Sequence, residues 1–338
     1  MTDTTATPDT TGKGGGRRRL VISQEQIVLI VTALLAIGFA LTLSGFATIG
    51  NLLALTRSVA ILGILGIAMS VVVIGRGLDL SLVATMAVSS AFALQLMQHG
   101  WGWPGAAAAG MGVAIAIGLI NGFIIAFVEV PALFTTLATG FLIFGLGRTF
   151  LLDGVITYLP PQAETFAWIG QGQLLGIPAP VIVLAIVALF VQVLLSRMTV
   201  GRFVYAHGDN VDAARLTGIA VRPLTMLEYA ICAAIGCLAG LVMAASTASI
   251  NMQIVNSTLI FDVILVVVLG GVSLVGGRGG VLSVLAGTAL IGTLLNGMTI
   301  MDLDNNIQNI VKGAVLLAAI IVDNRLHPQD EETARQGD

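Results

Sequence analysis

The chain has 338 residues, of which 57% are hydrophobic and 10% charged, with a net charge of −3. Soluble domains carry about 25% charged residues, and this shortage runs along nearly the whole chain, so a water-soluble fold is excluded and lipid must be the missing solvent. The net charge itself excludes little, because in membrane proteins the position of charge matters more than its sum.

Residues 1–26 are polar, with Gly14-Gly15-Gly16 ahead of Arg17-Arg18-Arg19. The apolar run that follows is long, and many further runs come after it. The expectation is therefore an uncleaved first transmembrane helix behind a disordered cytoplasmic tail, not a signal peptide. A helix needs roughly 20 apolar residues to cross the hydrocarbon core. Ten segments qualify: 27–43, 58–75, 81–98, 105–127, 132–151, 179–196, 224–246, 259–275, 281–299 and 307–322. The weakest divisions fall at Gly77 and at Gly276–Gly280, where helices can break inside the membrane. The fold class expected is an all-α polytopic transmembrane bundle: a transmembrane domain over 27–322, a loop at 197–223 and a cytoplasmic C-terminal tail at 323–338.

Ten crossings put both termini on one side, and Arg17 to Arg19 place that side in the cytoplasm. Arg76, Arg197, Arg202, Arg215, Arg222, Arg278 and Arg325 then also fall inside. The expected outer segments 99–104, 153–178, 247–258 and 300–306 hold neither Lys nor Arg. Arg57 and Arg148 are exceptions near outer helix ends; Arg148 has Asp153 within reach along the chain, while Arg57 has no evident place. The outer segment 153–178 reads either as a receiving surface for an external partner or as a packed cap. Asn121-Gly122 with Gly140, and Asn296-Gly297 with Gly313, form an internal echo in oppositely directed spans, which suggests an inverted repeat.

A Walker-type phosphate loop needs Gly-Lys-Ser/Thr, and the two lysines, Lys13 and Lys312, are each followed by Gly. Any ATP-driven energy source therefore lies on another chain. Secondary transporters bury ionisable relays; the candidates here are Asp79, Glu129, Glu228, Asp262 and Lys312, most of them close to helix ends. No cofactor, metal or nucleic acid is expected. Cys232 and Cys237 share one apolar run, His99, His207 and His327 are scattered, and no catalytic set is clustered.

In the loop 197–223, Asn210 is a good N-cap and Gly218 a good C′ residue for a two-turn helix between them. Such a helix, with small Ala213 and Ala214, either lies in a groove of a partner protein or is a solvated connector. Asp79 either caps the third span or faces a translocation path, and Ser81 has the same two alternatives. Asn121 and Asn296 either bond between helices or touch solute. Asn256 and Asp262, near the outer end of the eighth span, line an entry or serve as caps. Thr135 and Thr136 belong to the path or return hydrogen bonds to their own helix.

At the 197–223 loop the chain resembles the permeases of bacterial sugar ABC importers of the ribose, xylose and galactose type, relatives of the branched-chain amino acid permeases. The family's Asn-Pro-x-Ala-Ala-Arg-x-Ser-Gly-Ile appears as Asn210-Val211-Asp212-Ala213-Ala214-Arg215-Leu216-Thr217-Gly218-Ile219. Its Gly-Gly-Thr-Ser-Leu-x-Gly-Gly-x-Gly appears as Gly270-Gly271-Val272-Ser273-Leu274-Val275-Gly276-Gly277-Arg278-Gly279. Pro131 to Leu137 and Arg76 to Val83 match two further patterns, with Arg76 and Val83 in place of glycines. The similarity spans roughly residues 45–322. It implies that Asp209, Asn210, Ala213, Ala214, Arg215 and Gly218 contact an ABC ATPase subunit. It further implies a second permease subunit and a periplasmic or lipid-anchored sugar-binding protein. A secondary transporter or channel working alone is the rival, and a membrane-embedded enzyme a distant third.

Overall fold

The structure is a computed structural model that describes residues 24–326, with side chains as far as residue 321. The arginines at 17–19 and residues 327–338 of the expected C-terminal tail lie outside the described residues. In lipid every backbone polar group needs a partner within the protein, and a helix supplies it from its own segment. The apolar runs accordingly form α1 (Gln24–Thr42), α2 (Ile49–Ile74), α3 (Leu82–Gln98), α4 (Trp103–Phe127) and α5 (Ala132–Leu146), which continues into a π-helical turn, Gly147–Leu151. A cap follows, made of β1 (Ile156–Tyr158), α6 (Glu164–Gln171), β2 (Gln173–Leu174) and β3 (Ile177–Pro178). Then come α7 (Ala179–Arg197), α8 (Thr199–Asp209), α9 (Val211–Leu216), α10 (Val221–Thr247), β4 (Ser249–Asn251), α11 (Leu259–Gly270), α12 (Val281–Ile300) and α13 (Asn305–Leu326).

Among the described residues seven helices are long and apolar enough to cross a membrane: α1, α2, α4, α5 with its π turn, α7, α10 and α12. α3, α11 and most of α13 are shorter apolar helices. The molecule is an all-α polytopic bundle. Two expected boundaries move. α2 starts at Ile49 instead of 58, because the Thr48 hydroxyl caps it by accepting from the Asn51 N–H at 3.4 Å. α11 stops at Gly270 instead of 275, because Gly271 turns left-handed at φ +102°. A third difference is α8. The 197–223 stretch holds two consecutive helices where one was expected.

α2 is the axis of the bundle. Every residue from Leu62 to Ile74 is buried, as expected for a helix apolar on all sides. α4 lies against α10 and α3 along a ladder of small residues at every fourth position: Ala106, Gly110, Ala114, Gly118 and Gly122, all buried. Such spacing lets backbones approach closely. A Cβ at Gly122 would sit 2.5 Å from the Met226 Cα of α10.

Helix ends collect on two faces. On one, β1 pairs antiparallel with β4, Thr157 opposite Ile250. There Gln98 Nε2 donates to the Tyr158 carbonyl at 2.7 Å and Gln171 Nε2 to the Ala245 carbonyl at 3.1 Å. The segment 153–178 is thus a packed cap, anchored by Phe166 at 1% exposure. On the opposite face lie α8 and α9. There the Gly277 N–H donates to the Ile74 carbonyl at 2.8 Å, and Arg222 bonds Glu129 at 3.0 Å.

Arg57 now has a place: its Nη2 donates to the Gln171 carbonyl at 3.3 Å. Arg148 and Asp153 do not pair. The chain leaves the π turn extended at Leu152 (φ −124°), and the Asp153 N–H is held by Gln95 Oε1 at 3.0 Å. The two Asn-Gly pairs run in opposite directions through the bundle, but their surroundings differ. Gly122 faces α10, whereas Gly297 faces the Phe39 ring of α1.

Candidate functional site

α8 and α9 form a raised element on one face. Asn210, in extended conformation (φ −153°), accepts from the Ala213 N–H through Oδ1 at 2.9 Å and so starts α9. The helix closes in a Schellman turn. The Gly218 N–H reaches the Arg215 carbonyl at 3.0 Å and the Ile219 N–H reaches that of Ala214 at 3.1 Å. Gly218 has φ +85°, a conformation that favours glycine. Of the six residues expected to meet a partner, Asp209, Asn210, Ala213, Arg215 and Gly218 are exposed; Ala214 points inward at 3% exposure. Leu216, not singled out from the sequence, is 89% exposed beside Arg215. An exposed leucine, and an exposed arginine whose Nη1 lies 3.8 Å from Asp212 Oδ1 on the same helix, suit docking into a protein groove. In α8, partial burial raises the Tyr205 phenol above its ordinary range, so it remains a donor.

A second constellation is buried beneath this element, around the break between α2 and α3. Asp79 is 1% exposed. Its Oδ1 accepts from the Ser81 N–H at 2.9 Å and from the Ser81 hydroxyl at 2.5 Å. Asn121 of α4 donates through Nδ2 to Ser81 Oγ at 2.8 Å. The Thr136 hydroxyl of α5 accepts from the Leu80 N–H at 3.1 Å and lies 3.2 Å from the Leu78 carbonyl. Tyr229 of α10 donates to that same carbonyl at 3.2 Å. Non-helical backbone at membrane depth is tolerated only where protein satisfies it; here Thr136 of α5 and Tyr229 of α10 do so. Arg76, which replaces a glycine of the family pattern, still takes φ +66°; the surrounding bonds hold a conformation that an arginine disfavours.

The remaining candidates do not join this knot. Thr135 is 4% exposed, and its hydroxyl donates to the Val130 carbonyl, just ahead of α5, at 3.4 Å. Asn296 forms a reciprocal amide pair with Asn51 of α2 at 2.9 and 3.0 Å. Asn256 is exposed and bonds Gln253 at 3.2 Å. Asp262 pairs with Lys312 of α13 at 3.0 Å. Tyr229 and the His207–Glu228 contact at 3.2 Å were not singled out from the sequence. Their partners lie 21 to 151 positions away, and no local pattern marks such pairs.

Comparison with known proteins supplies the family. Residues 51–320 match the model for the branched-chain amino acid transport system permease component. The chain belongs to this permease family. The ribose import permease protein RbsC of Escherichia coli is 33% identical over 298 residues, covering 88% of this chain and 92% of the relative. The Bacillus subtilis ribose import permease protein is 34% identical over 275 residues, 81% of this chain and 85% of that one. The L-arabinose transport system permease protein AraH of Escherichia coli is 34% identical over 306 residues, 89% and 91% of the two chains. These relatives are transport permeases, not enzymes. No solved structure gave a significant match. As a member of the family, with its array of apolar helices, this permease is a multi-pass protein of the inner membrane.

Proposed function

We propose that this permease is the membrane-spanning subunit of an ATP-driven importer for a sugar or related polyol. The observation that carries the proposal is alignment over about nine tenths of its length with ribose and arabinose permeases, in a chain with no phosphate-binding loop of its own. The ATPase resides on a partner subunit, a periplasmic or lipid-anchored binding protein delivers the sugar, and a second permease, identical or paralogous, completes the path. The seven long and three shorter apolar helices make ten crossings. α1 starts and α13 ends on the α8–α9 face, where Arg76, Arg197, Arg202, Arg215, Arg222 and Arg278 also lie. The positive-inside rule makes that face cytoplasmic and α9 the motor contact.

Asp79, Ser81, Asn121 and Thr136 hold the walls of the path together. A sugar does not reach them in this state, because each is at most 1% exposed.

The test uses the chain reconstituted in proteoliposomes with its ATPase and binding protein. Arg215→Glu reverses the exposed charge on α9. Gly218→Pro demands φ near −65° where the chain needs +85°. Both are expected to abolish ATPase co-purification and sugar uptake while the permease stays in the membrane. Normal ATPase assembly in both variants refutes the motor contact. Uptake by the wild-type permease without ATPase refutes the importer reading in favour of a secondary transporter or channel.

A further inference from the structure

α9 does not ride on a slack loop. Asn210 alone separates it from α8. The Asn210 N–H closes α8 on the Ala206 carbonyl at 3.1 Å, and its carbonyl opens α9 by accepting from the Ala214 N–H at 3.0 Å. The two helices meet in a stiff corner, so a push on α9 moves the last turn of α8.

That last turn is wedged between both helix breaks. Gly208 lies against the Ile74 carbonyl and the Gly277 N–H, and a Cβ there would overlap them. Tyr205 donates to the Gly279 carbonyl at 2.8 Å. His207, 6% exposed, meets Glu228 of α10 through Nδ1 at 3.2 Å. The Glu228 carboxylate presses on Gly75, where a Cβ would come within 2.6 Å of its carboxyl carbon. The next residue, Tyr229, holds the Leu78 carbonyl at 3.2 Å. From His207 onward an unbroken series of contacts reaches the knot of Asp79, Ser81, Asn121 and Thr136.

A buried polar pair adds little to stability over apolar residues of the same shape. Its distinctive property is direction: a hydrogen bond fixes one position, whereas apolar contacts slide. We propose that the His207–Glu228 contact is the positioning link through which displacement of α9 reaches the α2–α3 break and thereby α3, α4 and α5. The link rests on the assignment of α9 as the motor contact.

The test is the ratio of ATP hydrolysed to sugar imported by the complete transporter in proteoliposomes. His207→Leu is expected to retain its ATPase and hydrolyse ATP, while uptake falls about tenfold or more, the size of an ordinary coupling between sites. His207→Asn, whose amide nitrogen falls near the position of Nδ1, is expected to restore coupling. His207→Gln, whose amide falls nearer Nε2, is not. If His207→Leu does not fold, the comparison of Asn with Gln carries the test. Unchanged sugar per ATP in His207→Leu, equal coupling in the Asn and Gln variants, or loss of ATPase from the His207→Leu complex each overturns the link. A wild-type permease that binds no ATPase overturns the motor contact instead, and the link with it.

Discussion

Lys312 and Asp262 offer a measurable test of how α13 is held. The ammonium lies 3.0 Å from Asp262 Oδ1, 3.2 Å from Oδ2 and 2.8 Å from the Thr258 hydroxyl. The two side chains are only 13% and 12% exposed. Lys312→Met keeps the length of the side chain and removes its charge, stranding a carboxylate against an apolar wall. Breaking a buried pair costs about 3–5 kcal/mol. A ceiling applies, because a carboxylate that cannot stay charged takes up a proton. At pH 7 that protonation costs about 4 kcal/mol from the ordinary Asp value, at about 1.36 kcal/mol per unit. The expected loss is therefore about 3–4 kcal/mol, bounded by the penalties just given. Lys312→Met with Asp262→Leu removes both charges and is expected to return to within about 1 kcal/mol of wild type. The assay is a double-mutant cycle on denaturant unfolding in detergent micelles. A coupling energy below about 0.5 kcal/mol, the size of a solvent-exposed pair, refutes the claim that this contact is desolvated and holds α13 to α11.

Two further predictions follow from the packing and the topology. Gly118→Leu is expected to lower stability by about 1–3 kcal/mol or more, because even a Cβ there would sit 2.8 Å from Ala230 Cα and Ala233 Cβ. Gly112→Leu, on the same helix with nothing within 4 Å, is the control, and equal thermal midpoints for the two would discredit the α4–α10 seam. For orientation, Leu175 and Leu216 are 96% and 89% exposed on opposite faces, and the native Cys232 and Cys237 are buried at 0%. A membrane-impermeant maleimide on intact cells should label Leu175→Cys and spare Leu216→Cys; the reverse pattern would invert the topology.

The membrane class, the apolar segments and the two helix breaks were legible in the sequence, because lipid imposes a length and a polarity on every crossing regardless of its neighbours. The α9 caps were legible for a similar reason. Asn210 and Gly218 act within a few residues of themselves, so composition and spacing carry the signal. α8 was missed because its residues pair polar and apolar character around Gly201 and Gly208, and those glycines read as loop until their close contacts are seen. Gly201 faces the Leu194 and Leu195 carbonyls, and Gly208 the Ile74 carbonyl.

What the sequence determined by itself is therefore the solvent of this protein, its family and the local geometry of its exposed helix. Only the tertiary structure decided which polar groups meet. Asp79 with Asn121 through Ser81, Glu228 with His207, and Lys312 with Asp262 are joined across spans by packing. A buried charge or amide takes whichever partner the fold brings within about 3 Å, and that choice depends on helix rotation and tilt. Nothing in the residues near each of them along the chain specifies either.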